Sequence, residues 1–212
     1  MPDIFLKLDH GLDRTERRIA RAAPVRLLLV GPHLDDPAPG VERRTALEAE
    51  LLRRLPDLRL EVLDDFGTGG LARDDFERIR AAVKRLDPDL VIWEVGVGDA
   101  LAATDPQDFA RILEKAAQWL DRRGVDLVLV DPPFVPHVRH EQLYGRIVNE
   151  ILADRDRANV VHFYGATTYL FSSPGSAARG DAGRACLPVL VAEAIGRILK
   201  RTPAARPDGG AR

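Results

Sequence analysis

The chain has 212 residues, of which 45% are apolar and 30% charged, and its formal net charge is -2 at pH 7. This length suffices for one α/β domain with a sizeable core, and the absence of a basic excess argues against a nucleic-acid-binding protein. Cys186 is the only cysteine, which excludes an intrachain disulfide and a multi-cysteine zinc site. Without a signal-peptide pattern or a long apolar stretch, we expect a cytoplasmic protein that does not contact a membrane.

Five short apolar runs are typical of strands buried on both faces of a sheet. They are VRLLLV (25–30), LRLEVL (58–63), DLVIWEV (89–95), VDLVLV (125–130) and NVVHF (159–163). The second run alternates more than the others, so we expect it at an edge of the sheet.

Segments with helical spacing of apolar residues separate these strands. The predicted helices cover residues 41–55, 75–86, 108–123 and 141–152, with a last helix from about Arg184 to Lys200. Pro188 is tolerable only near the first turn of a helix, which leaves the start of the last helix open.

The alternation of strands and helices predicts a three-layer α/β/α fold with a five-stranded parallel sheet. Right-handed crossovers restrict the topology to a few doubly wound arrangements, among which we expect a flavodoxin-like strand order of 2-1-3-4-5. We expect residues 1–22 to form a helical or irregular extension, residues 23–200 a single domain, and residues 201–212 a disordered tail.

In such a sheet, ligands bind at the carboxyl ends of the strands, near the point where the strand order reverses. The residues of these loops that we expect to line a cleft are Gly31, His33, Asp35, Asp36, Gly69, Gly70, Gly98, Asp99, Asp131 and His137. Taken singly, each aspartate also fits a simpler role, because Asp often ends a strand or caps a turn.

An ordered series of segments resembles the SGNH/GDSL hydrolase family over about residues 25–198. These are VRLLLVG (25–31), DPDLVIWEVGVGDALAATDPQDF (87–109), VDLVLVDPPFVPHV (125–138) and GRACLPVLVAEAI (183–195). The resemblance implies an SGNH-like fold and ester hydrolysis by a serine nucleophile, with a histidine base oriented by an aspartate.

The chain departs from that family at the positions that would carry the chemistry. Gly31-Pro32-His33-Leu34 stands where the family has Gly-Asp-Ser-Leu, so His33 occupies the nucleophile position. Gly98 replaces the asparagine that donates to the oxyanion, and Gly175 and Ala178 fall at the catalytic aspartate and histidine. We therefore expect a degenerate member of the family, a non-catalytic protein without a cofactor that binds a small ligand or a protein partner.

Residues 27–40, LLLVGPHLDDPAPG, are also similar to the metal-binding loop of the LmbE/PIG-L-like deacetylases. This second resemblance implies zinc bound by His33 and Asp36, Asp35 as the general base, and His137 or His140 as a further ligand. The alternative it suggests is a metal-dependent hydrolase or deacetylase.

A third alternative is a weak ester hydrolase with a relocated nucleophile. Ser172, Ser173 and Ser176 are its candidates, although no histidine is close to them in sequence.

Overall fold

The architecture is a parallel five-stranded sheet between two layers of helices. A computed structural model describes residues 2–31, 39–64, 70–172 and 179–201, with side chains described except at 39–45, 64, 179–185 and 201. The strands are β1 (Val25–Val30), β2 (Leu60–Asp64), β3 (Leu90–Glu94), β4 (Asp126–Val130) and β5 (Asn159–Val161). Their order is β2-β1-β3-β4-β5, and every neighbouring pair is parallel. The predicted fold and strand order are confirmed, including the edge position of β2.

Helices follow the strands in alternation along the described part of the chain. They are α1 (Asp13–Ala20), α2 (Pro39–Arg54), α3 (Ala72–Leu86), α4 (Val97–Leu101), α5 (Pro106–Asp121), α6 (Glu141–Ala153), α7 (Phe163–Ser172) and α8 (Arg179–Arg201), with short 3-10 turns at Asp3–Phe5 and Asp154–Asp156. None of the helices described combines the length and apolarity needed to cross a membrane.

Each face of the sheet has its own apolar core, because successive strand residues point to opposite faces. Trp93 of β3 packs with residues of α3, α5 and α6 on one face. Ile92 of the same strand packs on the other face with residues of α2, α7 and α8 and with leucines of the segment before α1. Both faces of the central strands are therefore buried, which explains their nearly continuous apolar sequence.

The sequence prediction was wrong about the segment after β5. The expected strand at residues 159–163 ends at Val161, and α7 begins at Phe163. The backbone N–H of Tyr164 donates to Oδ1 of Asp131 at 2.8 Å, so a side chain from the neighbouring strand end caps the first turn of α7. Tertiary structure thus fixes a helix over FYGATTYLFS, whose aromatic residues alone favour a strand.

The last helix also differs from the prediction, because Pro188 lies inside α8 and not in its first turn. Neighbouring Leu187 and Leu190 are buried on the α2–α8 face of the sheet. Packing of this apolar face compensates for the backbone hydrogen bond that a proline cannot form.

The N-terminal segment packs along the amino-terminal edge of the sheet. Asp126 at the start of β4 accepts hydrogen bonds from the backbone N–H of Arg14 and from both the N–H and the hydroxyl of Thr15. Asp89 accepts from the guanidinium groups of Arg14 and Arg18. These contacts attach α1 to the edge opposite the expected ligand site.

Candidate functional site

The carboxyl ends of β1 and β3 approach each other closely at Gly31 and Glu94. A Cβ atom added to Gly31 would lie 2.6 Å from Cβ of Glu94, so only glycine fits at the end of β1. His33, Asp35, Asp36 and Gly69 of the expected cleft lie outside the described residues, as do Gly175 and Ala178.

Gly70 and Gly98 form the tightest backbone contact of the predicted cleft. Gly70 has a φ of +68°, and a Cβ added to Gly98 would lie 2.2 Å from the carbonyl oxygen of Gly70. Gly98 occupies the position at which the family resemblance places an oxyanion-binding asparagine. Any side chain at this position requires a shift of the backbone at Gly70.

Asp99, the next residue, points into the protein. It is 3% exposed, and its Oδ2 accepts a hydrogen bond of 2.8 Å from the backbone N–H of Ala72 at the start of α3. Burial raises the pKa of the Asp99 carboxyl, while hydrogen bonds from Ala72 and Thr104 act in the opposite direction. This carboxylate ties the α4 turn to the amino terminus of α3 and so holds Gly98 against Gly70.

Asp131 and His162 form a hydrogen-bonded pair at the ends of β4 and β5. Nδ1 of His162 lies 2.6 Å from Oδ2 of Asp131, which is 1% exposed. An ionised carboxylate only accepts, so when Asp131 is ionised the hydrogen of this bond lies on Nδ1 of His162. Burial raises the pKa of Asp131, whereas the hydrogen bonds from His162 and from the N–H of Tyr164 oppose that rise.

The sequence analysis included Asp131 but missed His162. A signal for the pair was present, because polar residues directly follow both apolar runs that end at Val130 and Val161. The strand register pairs Val130 with Val161. The residues that follow them, Asp131 and His162, are therefore brought together. The prediction of a strand through residue 163 concealed this, since it treated His162 as part of the sheet.

His137 and His140 lie in the loop between β4 and α6, and both are exposed. Both have a left-handed backbone, with φ of 56° and 60°, and His140 directly precedes α6. Within the described ranges, no group of three His, Cys, Asp or Glu side chains could hold a metal ion. The zinc site with His33, Asp36 and His140 stays a prediction, because two of its three ligands lie outside those ranges.

A small apolar cavity of about 30 Å³ lies at the carboxyl ends of the central strands, between α2 and α8. Its lining residues are Leu29, Val30, Leu47, Ile92, Glu94, Val130, Leu187, Pro188 and Val191. Glu94 is the one acidic residue among them. A cavity of this volume has room for about two water molecules or a group of similar size.

The five-stranded parallel sheet and its strand order are those of an SGNH-like α/β fold. An acetylxylan esterase, Axe2 from Geobacillus stearothermophilus, is similar over 86% of this chain and 97% of its own, with 18% identity and a TM-score of 0.63. A putative lipolytic protein of the G-D-S-L family from Desulfitobacterium hafniense DCB-2 covers 82% of this chain and 99% of its own, with 18% identity and a TM-score of 0.57. TesA is similar over 78% of this chain and 97% of its own, with 20% identity and a TM-score of 0.53. At these identities the likeness establishes the fold alone.

The family follows from the sequence itself. A model of the Non-GDSL lipase-like family matches residues 1–201, and the chain belongs to that family. The expected membership of the SGNH/GDSL hydrolases is confirmed. No curated protein matches the chain.

Proposed function

We propose that this protein binds a ligand on the hydrolase scaffold and does not carry out the serine-esterase reaction. The observation that carries this proposal is the close approach of Gly98 to Gly70. The carbonyl oxygen of Gly70 lies 2.2 Å from the point where a Cβ of residue 98 would be. The relatives with similar structures include proteins named as esterases and as a putative lipolytic protein. The carbonyl oxygen of Gly70 leaves no room for a Cβ at residue 98, which supports the absence of an oxyanion-binding side chain at this position.

Loss of that donor alone slows acyl transfer by about 10²–10³-fold. The family resemblance also places His33 and Ala178 at the positions of the nucleophile and the base. Removal of a whole triad costs about 10⁶-fold in turnover, and a fold resemblance does not restore the reaction. Ligand binding requires none of these three groups, so the scaffold can still bind a ligand without them.

The apolar cavity between α2 and α8 is the proposed ligand site. It lies where the strand order reverses between β1 and β3, the usual ligand position in this type of sheet. Its volume of about 30 Å³ fits an acetyl or methyl group, and its walls are apolar apart from Glu94. The proposed ligand therefore inserts a short apolar group here.

Hydrolysis of 4-nitrophenyl acetate by wild-type protein and by His33→Ala tests the loss of serine-esterase chemistry. We expect the two proteins to turn over the ester at the same rate, with no burst of 4-nitrophenol. A rate well above buffer that disappears in His33→Ala and is insensitive to a chelator would overturn the proposal.

Binding is tested by NMR of the methyl groups of Leu29, Val30, Val130, Leu187 and Val191 during titration with ethyl acetate. We expect shifts at these methyls, and we expect Val191→Phe to abolish them because Val191 lines the cavity. Val189→Phe is the matched control, since Val189 is 42% exposed on the same helix. Shifts that persist in Val191→Phe, or an absence of shifts in wild type, would reject this ligand site.

A further inference from the structure

Strand β2 forms one edge of the sheet, and its outer side offers backbone groups to another chain. The N–H of Val25 in β1 donates to the carbonyl of Arg59 at 2.7 Å, so the backbone of Arg59 is directed at β1. Backbone groups alternate in direction along a strand, so Glu61 also bonds toward β1, whereas the N–H and C=O of Leu60 and Val62 point away from the sheet. In the described ranges no strand pairs with this side of β2. Such an edge is a template for pairing with a further strand.

The side chains of β2 differ between the two faces of the sheet. Leu60 and Val62 are half-buried and pack against the core on the α2–α8 face. Arg59 and Glu61 project from the opposite face and are exposed. Glu61 lies 3.3 Å from the guanidinium of Arg26 on β1, and its side chain is still 52% exposed. The edge therefore presents opposite charges two positions apart, with Leu60 between them.

Charge selects one register for antiparallel pairing of β2 with β2 of a second copy. A two-fold axis at Leu60 places Arg59 of each copy directly opposite Glu61 of the other. An axis at Glu61 would set two carboxylates against each other, and an axis at Val62 would set Glu61 against Leu63. Directly opposite residues of an antiparallel pair attract when their charges differ and repel when they are alike. The register centred on Leu60 is therefore favoured.

The backbone fits the same register. Residues on such an axis exchange both of their hydrogen bonds when their N–H and C=O point outward, which is the orientation of Leu60. Arg59 and Glu61 then form the pairs without mutual backbone bonds, in which the Cα atoms approach to about 4.5 Å and the side chains are closest. On the other face the two Leu60 side chains lie opposite each other and bury apolar surface.

We propose that this protein forms a two-fold symmetric dimer in which the β2 strands of two copies pair antiparallel about Leu60. A two-fold interface requires a patch that is complementary to itself, and Arg59-Leu60-Glu61 has this property. The same self-complementarity selects a second copy as the partner over an unrelated peptide. An edge with charges of a single sign would instead repel its own copy.

The dimer goes beyond the proposed function, because it uses the edge of the sheet and not the cavity between α2 and α8. Its two five-stranded sheets become one continuous sheet. Because the paired strands run in opposite directions, the carboxyl ends of the two sheets lie at opposite edges of the joined sheet. Ligand binding and dimerisation are therefore tested separately.

Sedimentation velocity over a concentration series tests the dimer with the full chain. The proteins compared are wild type, Glu61→Arg, Arg59→Glu and the double variant that carries both changes. We expect wild type to dimerise and each single variant to raise the Kd of the dimer about 10-fold or more, because like charges then meet in both cross-copy pairs. The double variant exchanges the two charges and should restore dimerisation.

Glu114→Arg is the matched control for the loss of a surface ion pair within one chain. Glu114 lies 3.5 Å from Arg157 and its side chain is 44% exposed, which resembles the Glu61–Arg26 pair. This variant should dimerise like wild type. A monomeric wild type, a dimer insensitive to both single variants, or a double variant no better than the single ones would overturn the proposal.

Disulfide cross-linking tests the register without reversing any charge. In a Cys186→Ala background, Leu60→Cys places one thiol per chain on the axis, with a Cα separation of about 5.5 Å that suits a disulfide. Val62→Cys is the control, because its two copies lie roughly 13 Å apart in this register. We expect mild oxidation to give a covalent dimer of Leu60→Cys only. Cross-linking of Val62→Cys instead, or of neither variant, would contradict the proposed pairing.

Discussion

Gly98 lies so close to Gly70 that a Cβ on Gly98 would be 2.2 Å from the carbonyl oxygen of Gly70. The contact joins the start of α4 to the residues before α3, and the buried carboxylate of Asp99 holds the same two segments together. Local backbone geometry therefore explains why residue 98 has no side chain, independently of any resemblance to other proteins.

Gly98→Ala is expected to lower the free energy of unfolding by about 1–3 kcal/mol, because the new methyl group overpacks a rigid backbone contact. Urea unfolding followed by circular dichroism measures this change. Gly145→Ala in α6 is the control, because its added Cβ meets nothing within 4 Å. That change should be neutral or stabilise the helix by up to about 1 kcal/mol. Equal stability of Gly98→Ala and wild type would show that the contact relaxes without cost.

Asp99→Asn is expected to gain stability relative to wild type as the pH rises. Burial raises the pKa of Asp99 in the folded state, so the folded protein binds more protons than the unfolded chain between the two pKa values. The stability of wild type therefore falls as pH rises through that window, and the asparagine variant lacks this loss. The measurement is the difference in unfolding free energy between variant and wild type across a pH series.

Asp74→Asn is the control for this series, because the Asp74 side chain is 56% exposed. This variant removes a solvated carboxylate and leaves the buried one in place. The unfolding free energy of Asp99→Asn minus that of wild type should rise with pH. A fall of this quantity as the pH rises would contradict the assigned direction of the pKa shift.

Asp126→Ala is expected to loosen α1 from the sheet edge. Asp126 is remote from α1 in sequence, but its carboxylate caps this helix by accepting from the N–H groups of Arg14 and Thr15. Loss of such a cap costs about 0.5–2 kcal/mol of stability. Hydrogen exchange should show lower protection in residues 13–20. Asp121→Ala, an exposed residue at the end of α5, is the control and should leave this protection unchanged.

Divalent metals are expected to have no effect on thermal stability. In the described ranges no cluster of three candidate ligands exists, and His137 and His140 are exposed. The check is a thermal unfolding series of untagged protein with zinc chloride or with a chelator. A stabilisation by zinc that disappears in His33→Ala would support the deacetylase-like site instead, because anything that binds the folded state selectively raises its melting temperature.

The parallel sheet was predictable from the sequence, because strands buried on both faces show as nearly continuous apolar runs. VRLLLV was predicted with its observed bounds of Val25–Val30, and the other runs differ from their strands by one or two residues at the ends. Helix α7 was not predictable in this way. It depends on Asp131, 32 positions before Phe163, whose carboxylate accepts from its first turn.

The sequence predicted which loops follow the carboxyl ends of the strands, but not how the side chains of those loops pack. Loop residues such as Asp99 and Asp131 lie at the expected edge, yet both are buried and hydrogen-bonded inside the protein. His162 was missed because its partner is set by the register of two strands and not by sequence spacing. The Gly70–Gly98 contact likewise requires two loops to meet, which no single stretch of sequence reveals.

Reaction with a fluorophosphonate, followed by intact-mass analysis, tests most directly whether serine-esterase chemistry is absent. The reagent phosphonylates an activated serine and leaves ordinary hydroxyl groups unmodified. We predict that the mass of the folded protein does not change. Stoichiometric addition at Ser172, Ser173 or Ser176, blocked by prior unfolding, would contradict the account.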